Sequence, residues 1–403
     1  MKKFWLLGML PVFFFSCTNK DNLVSSDLSD LKDSTLDVKD APIEEDALKI
    51  FETLNTSFVS TRNGNKIYPE NYGGNYLDEN GLFFVLVVES QKDLKSSLII
   101  PDGAIIKYCK YSYQQLLDVM DVLVNYKPEK NEKIYDNFPV AFIDEKLNRI
   151  VVQLVNYSEQ AIKEFKENVS NSDAIIFTKY ESVPQRKKEN PDWNIEYIPA
   201  LSRSLDASKP FLAGAPFGSI SIGYRAKKNG EAGLVTCAHW LKSGQNISIN
   251  GSVIGTVTAW VYSGCVDACF IKLSDLTYEG SNTLYKYPGS TANGEISTEI
   301  KEYGSGFTVN KIGQTTQRTW GKIFSVAEMI KDPDDNVVFY PVTGVKYNCG
   351  NGDSGGIVYS YVSSTDTRYT VGVHKAHGTY QGNPCGYYTR ANDVKDKLGV
   401  LRY

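Results

Sequence analysis

Histidine is scarce in this chain: there are three among 403 residues, His239, His374 and His377. Imidazole chemistry is therefore confined to the C-terminal half, and the first half must do without it. An excess of positive charge is missing too. The formal net charge is −4, which argues against nucleic acid as a main partner. Long apolar runs are also lacking, since residues 4–15 fall short of the ~20 residues that span a membrane as a helix. What remains is globular, 42% hydrophobic and 22% charged, and long enough for two or three domains. Tyrosine is abundant at 26, which suits β-structure and an exported protein more than a helical bundle.

The N-terminus supports export. Lys2 and Lys3 form a basic start, residues 4–15 an apolar stretch, and Ser16-Cys17 ends it. This pattern is similar to a bacterial lipoprotein signal over 1–17 with Cys17 as the lipidated residue, although Phe14 and Phe15 stand where that motif has Leu and a small residue. A plain secretory signal cut nearby is the alternative. Either places the protein outside the cytoplasm; the first makes it a lipid-anchored precursor in the bacterial cell envelope, with the lipid as its only membrane contact, and the mature form periplasmic, at the surface or secreted. Disulfides are then permitted.

Residues 18–46 carry nine acidic side chains against three lysines without an apolar period, and read as a solvated tether. Residues 47–185 read as an α/β unit. Strands are expected over 82–88, 174–178 and a hairpin of 140–143 with 149–155; helices are expected over 113–124 and 161–169. This unit has no histidine and one cysteine, Cys109, so no chemistry is assigned to it. Residues 186–208 are polar and proline-bearing, an exposed linker open to proteolysis. From 209 to 403 the character changes to short strands and glycine turns, the pattern of an all-β barrel or sandwich, closing in a helix over 392–398 with Asn392 or Asp393 as its N-cap.

Three stretches of that last part carry chemistry. His239 ends an apolar strand, where a side chain can emerge into a cleft; a histidine there can equally be structural. Asp267 lies within the apolar stretch Val266-Asp-Ala-Cys-Phe-Ile271, where a carboxylate is costly to bury unless paired. His239 would be a suitable partner. Ser354 lies in Gly350-Asn-Gly-Asp-Ser-Gly-Gly356, a loop able to present a hydroxyl together with backbone N–H donors. Alone, it would read as a glycine-rich turn. A metal site built from the nearby Cys and His residues competes with this reading, but we expect neither metal nor cofactor.

The order His, Asp, Ser, together with Leu-Val-Thr-Cys-Ala-His239, Val-Asp267-Ala-Cys-Phe-Ile-Lys-Leu and Gly-Asp-Ser354-Gly-Gly, resembles chymotrypsin-like serine proteases, in particular the bacterial branch of streptogrisins and alpha-lytic protease. Lys311-Ile-Gly-Gln-Thr-Thr316 and Gly382-Asn-Pro-Cys-Gly-Tyr-Tyr388 are similar to further stretches of that branch. The resemblance covers about 209–403. It implies an all-β double six-stranded β-barrel with a short C-terminal helix. It further implies Ser354 as nucleophile, His239 as general base, Asp267 as its orienting carboxylate, and the N–H groups of Gly352 and Ser354 as oxyanion hole. Asp353 would brace the loop through Lys311, where the branch has an arginine.

Cys349 with Cys385 resembles the family's bridge beside the substrate pocket. The family's cysteine after the catalytic histidine is Trp240 here, and Cys237 is expected to pair instead with either Cys265 or Cys269. Residues 370–378, with His374 and His377, should line the primary pocket. His374 after Gly-Val resembles the glutamyl endopeptidases, implying a preference for Glu before the cut; a merely polar or an apolar pocket is the alternative. Tyr72-Gly-Gly-Asn-Tyr-Leu-Asp78 and the 142–152 stretch resemble the branch's pro-regions, so residues 47–185 are expected to act as intramolecular folding aid and inhibitor. The expectation is a secreted or envelope serine endopeptidase made as a zymogen and acting on protein or peptide substrates. A catalytically silent binding protein of the same fold is the second reading.

Overall fold

The computed structural model describes residues 39–60, 66–91, 98–127, 129–181, 194–195, 209–275, 277–287, 294–332 and 335–403. The signal with Cys17 and nearly all of the 186–208 linker lie outside the described residues.

Two layered modules make up the N-terminal α/β unit. In the first, the hairpin Tyr72–Leu77 and Phe83–Val88 pairs in parallel with Ile105–Cys109. Helices Glu45–Ser57 and Tyr113–Val124 cover it. Leu116, Met120 and Leu123 recur at helical spacing and are all buried, and Ser112 with Gln115 forms a capping box. In the second, the hairpin Val140–Asp144 and Arg149–Leu154 pairs with Ile175–Lys179 beneath helix Glu159–Asn168, whose Phe165 is buried. Asn148 takes a positive φ of 53° in that hairpin turn and spends its amide on Gly73 O and Tyr111 O, which joins the two modules.

The β-rich part has two halves. The first is a seven-stranded sheet running through Tyr224–Lys228, Glu231–Thr236, Val266–Leu273, Ser252–Ser263 and Asn246–Ile249. The second is a closed barrel. Its strands Thr308–Gly313, Ile357–Val362, Thr367–Tyr380, Asn383–Arg390, Val338–Val345 and Gln317–Lys331 pair in that order, and the last pairs back to the first. Closure leaves no free edge within the ring. The closing helix, Ala391–Leu398, has Arg390 at its N-cap with no side-chain cap bond, so neither Asn392 nor Asp393 caps it. Its Val394 and Leu398 instead anchor it in the core.

Gln317–Lys331 is long enough to serve two sheets. Glu328, Met329 and Ile330 pair with Phe142, Ala141 and Val140 of the N-terminal unit, so the barrel sheet continues into that unit's hairpin. Helix Glu45–Ser57 is fastened in the same direction, with Phe51 touching Phe83 on one side and Phe307 of the barrel on the other, ring centroids 6.3 and 5.2 Å away.

The end of the expected tether is partly packed. Residues 39–46 lie against the barrel, where Ile43 is buried and Ala41 exchanges two hydrogen bonds with Asn310. Composition alone does not show this, because Asp40 and Glu44 meet cations and hydroxyls supplied by distant strands.

Candidate active site

His239 stands just beyond the strand Glu231–Thr236, whose register places Thr236 opposite Cys269. Two residues earlier on the neighbouring strand, Asp267 is thereby level with the turn carrying the histidine. Its carboxylate is fully buried. Oδ1 accepts from the backbone N–H groups of Ala238 at 2.8 Å and His239 at 3.1 Å; Oδ2 lies 2.6 Å from His239 Nδ1. Three contacts from one turn fix both the carboxylate and the ring.

A residue the sequence reading passed over completes this cluster. Lys375, 1% exposed, donates from Nζ to Asp267 Oδ2 at 3.2 Å and sits 3.8 Å from Asp332 Oδ2 and 3.6 Å from the centre of the Phe339 ring. Tyr262 donates its hydroxyl to Asp332 at 2.8 Å. Burial first, and then the two carboxylates, push the Tyr262 phenol well above its ordinary value, so it stays a donor. The one available sequence signal was a lysine between two histidines within an otherwise apolar strand.

Ser354 is brought to the same place from the opposite side. Its Oγ donates to Lys375 O at 3.2 Å, so the backbone of Lys375 meets the serine while its ammonium meets the aspartate. The loop is tied to the pocket strand by Gly355 N to His374 O and His374 N to Gly356 O, both 2.8 Å. It is tied to the first half by Ser221, whose N–H donates to Ser354 O and whose hydroxyl donates to Gly352 O, each at 2.8 Å. Ser221 left no trace in the sequence pattern. Gly355 has φ +87°, and a Cβ there would collide with Thr236 Oγ1 and Ser221 O. Only glycine fits where the loop crosses the strand that carries the histidine.

Asp353 points away from the serine into the barrel. Lys311 Nζ reaches its Oδ2 at 2.7 Å, as do Thr316 Oγ1 at 2.6 Å and Gly350 N at 3.0 Å; Thr315 N and Thr316 N reach Oδ1 at 2.8 and 3.1 Å. Burial alone would raise this carboxyl, but Lys311, His374 and Thr316 outweigh it and bring it down to about 2.

His374 is 1% exposed, with Nδ1 3.0 Å from Tyr347 Oη; His377 is half-buried three residues on. Gly386 passes so close to Tyr347, Cys349 and His374 that any side chain there would displace them.

Neither expected disulfide is present: Cys237, Cys265, Cys269, Cys349 and Cys385 are not bridged, nor is Cys109. The sequence neighbourhoods are nonetheless joined. Cys349 Sγ donates to Cys385 O at 3.2 Å, and Cys269 Sγ to Cys237 O at 3.4 Å. Of the two candidates for Cys237, the sheet register selects Cys269, which faces the histidine strand. Cys265 lies toward Asp393 of the closing helix. In both expected pairs the Sγ atom is satisfied by a backbone carbonyl, with no bond to the facing sulfur.

The N-terminal unit matches two domain families, a Pro-like N-terminal domain over residues 36–101 and a Pro-like C-terminal domain over 114–180. Between them the two matches take in most of the N-terminal α/β unit. Residues 209–403, with the sheet and the closed barrel, lie outside both matches. Solved structures similar to the chain include Thermobifida fusca protease A at 19% identity and TM-score 0.41, covering 48% of this chain and 97% of that one. A Nocardiopsis protease at 22% and 0.41 covers 48% of this chain and all of its own. A serine protease described as glutamic acid specific, which uses a histidine triad in substrate binding, stands at 22% and 0.40 with the same coverage. No curated protein sequence matches the chain.

Proposed function

We propose that the protein is the precursor of a serine endopeptidase in which Ser354 attacks the scissile carbonyl, His239 takes its proton and Asp267 orients and stabilises the imidazolium. The observation that carries this reading is the 2.6 Å contact between His239 Nδ1 and a fully buried Asp267 carboxylate. It commits Nδ1 as donor and leaves Nε2 as the atom that accepts the serine proton. The hydroxyl proton moves to Nε2 as the Ser354 Oγ–carbonyl bond forms, and is delivered to the leaving amine when the peptide C–N bond breaks. Water then repeats the sequence on the acyl-enzyme. Gly352 N and Ser354 N would hold the oxyanion, with Gly352 kept at φ +97° by its loop.

The Asp353–Lys311 pair braces that loop from behind. The pro-region, joined to the barrel by a shared sheet, acts as folding aid and inhibitor until a cut within 186–208. His374, poised by Tyr347, and His377 favour Glu before the cut; an apolar preference is the alternative. The working location is the cell envelope, with Cys17 as the lipidated residue of the precursor.

Labelling by a fluorophosphonate, abolished in Ser354→Ala, tests the nucleophile. The bond from Ser354 Oγ to Lys375 O favours one other reading, a protease fold whose serine stays turned from its base. Processed protein that resists the label would establish that reading and end the first.

A further inference from the structure

The barrel carries two arginines whose carboxylate partner comes from outside it. Arg318, on Gln317–Lys331, donates from Nη1 to Asp40 Oδ1 at 2.6 Å; Arg368, on Thr367–Tyr380, donates from Nε to Asp40 Oδ2 at 2.6 Å. Tyr359 Oη donates to Oδ1 at 2.5 Å. The Asp40 side chain is 3% exposed, and the two guanidiniums 7% and 9%. Arg368 also meets Asp366, which is itself exposed, whereas Arg318 meets no other carboxylate among the described residues.

The following residues continue the grip in an extended path. Ala41 and Asn310 exchange hydrogen bonds at 2.8 and 2.9 Å, and Ile43 N donates to Tyr361 O at 2.8 Å. Glu44 accepts from Thr308 Oγ1 at 2.9 Å and lies 3.3 Å from Lys322; Glu45 accepts from Ser363 Oγ at 2.9 Å. All these barrel groups belong to the C-terminal β-rich part, and all the acids belong to the segment that leads into and opens helix Glu45–Ser57 at the start of the N-terminal unit.

We propose that Arg318, Arg368, Tyr359 and Asn310 form a carboxylate receptor for an extended acidic peptide, filled in the precursor by residues 40–45, which keeps the pro-region on the protease after the linker is cut. The chemistry requires an occupant. Two buried guanidiniums converging on one point repel each other once their shared anion leaves, and their desolvation is no longer offset. A carboxylate with charge-assisted bonds to both restores the balance with geometric selectivity that a lysine-based site would lack. Release of the pro-region after the linker is cut then requires the Asp40 contact to break along with the shared sheet at Glu328–Ile330 and the packing of Phe51 on Phe307.

This inference rests on the reading of residues 36–180 as a pro-region, and its test needs no catalysis. The full chain carrying Ser354→Ala is cut by added trypsin, for which Arg186, Lys187, Lys188 and Arg203 in the linker are sites. Release of the N-terminal fragment on dilution is followed by size exclusion. We expect Asp40→Asn to speed release at least tenfold, and an excess of a synthetic peptide of residues 37–48 to speed release from the parent. The same peptide with Asp40→Asn should do neither more nor less than buffer. Equal release from parent and Asp40→Asn chains, or equal competition by the two peptides, overturns the receptor. The peptide comparison uses only the parent chain and decides the matter even where Asp40→Asn does not fold. Fluorophosphonate labelling addresses the catalytic reading separately, so the two can fail independently.

Discussion

Lys375 Nζ lies 3.2 Å from Asp267 Oδ2, which places a buried ammonium on the carboxylate that orients the histidine. His239 meets Asp267, Asp267 meets Lys375, and Lys375 is in turn 3.8 Å from Asp332, to which the Tyr262 hydroxyl is committed. Lys375 offsets part of the negative field that would otherwise stabilise an imidazolium. Lys375→Met removes that offset, so the acid limb of kcat/KM should move to higher pH, with kcat falling on the order of tenfold as Asp267 loses an orienting contact. A pH–rate profile of the variant checks this; an unmoved acid limb would show that the lysine acts by packing alone.

Lys311 is the counter-ion of Asp353 inside the barrel. Lys311→Met leaves that carboxylate buried and unpaired, at a cost of roughly 3–5 kcal/mol, and should lower activity while His239 and Asp267 keep their geometry. The pH dependence follows from the sign. Asp353 is lowered from 3.8 to about 2, so its contribution to stability is complete above pH 3.8 and is lost as pH falls toward 2. Acid unfolding followed by circular dichroism should show this loss in the parent and a flatter curve in Asp353→Asn.

Glu145 carries the opposite sign. It is fully buried in the pro-region hairpin, and burial pushes its carboxyl up to about 8. The native state then holds a proton that the unfolded chain releases near 4.5, so stability declines as pH rises from 4.5 to 8. Glu145→Gln removes the titration. Its melting temperature should match the parent near pH 5 and exceed it by about 5 °C at pH 8.5, as measured by calorimetry.

Tyr347 fixes the His374 imidazole. With Tyr347→Phe the 3.0 Å contact to His374 Nδ1 disappears, and the ring loses its set orientation. Peptides differing only in the residue before the cut should show Glu selectivity reduced on the order of tenfold, with turnover of the remaining substrates little changed. A parent enzyme that already prefers Phe or Leu would end the assignment of His374.

Much of this architecture was legible because it is local. The helix Tyr113–Val124 follows from apolar spacing and the Ser112–Gln115 box, and the hairpin at 140–154 from two β-branched runs around a turn. Other elements were not. Ile105–Cys109 is largely exposed and lacks alternation, and Gln317–Lys331 bends through three register shifts, which breaks the period-two signal. At the site, the pairing of His239 with Asp267 was an expectation drawn from their neighbours, while Ser221 and Lys375 left no such signal, since their partners are over 100 residues away.

By itself the chain determined which chemistry-bearing residues it places in which local settings. One histidine, one aspartate in an apolar strand and one serine among glycines have few joint uses, and the turns around them follow from short-range sterics. Tertiary structure decided the charge balance. Whether Asp40 is solvated or gripped, whether Cys269 or Cys265 faces Cys237, and whether Lys375 neutralises Asp267 all depend on which strands lie side by side. Burial multiplies the strength of such contacts while the sequence lists only their separate members, so long-range electrostatics is the part that composition and spacing cannot express.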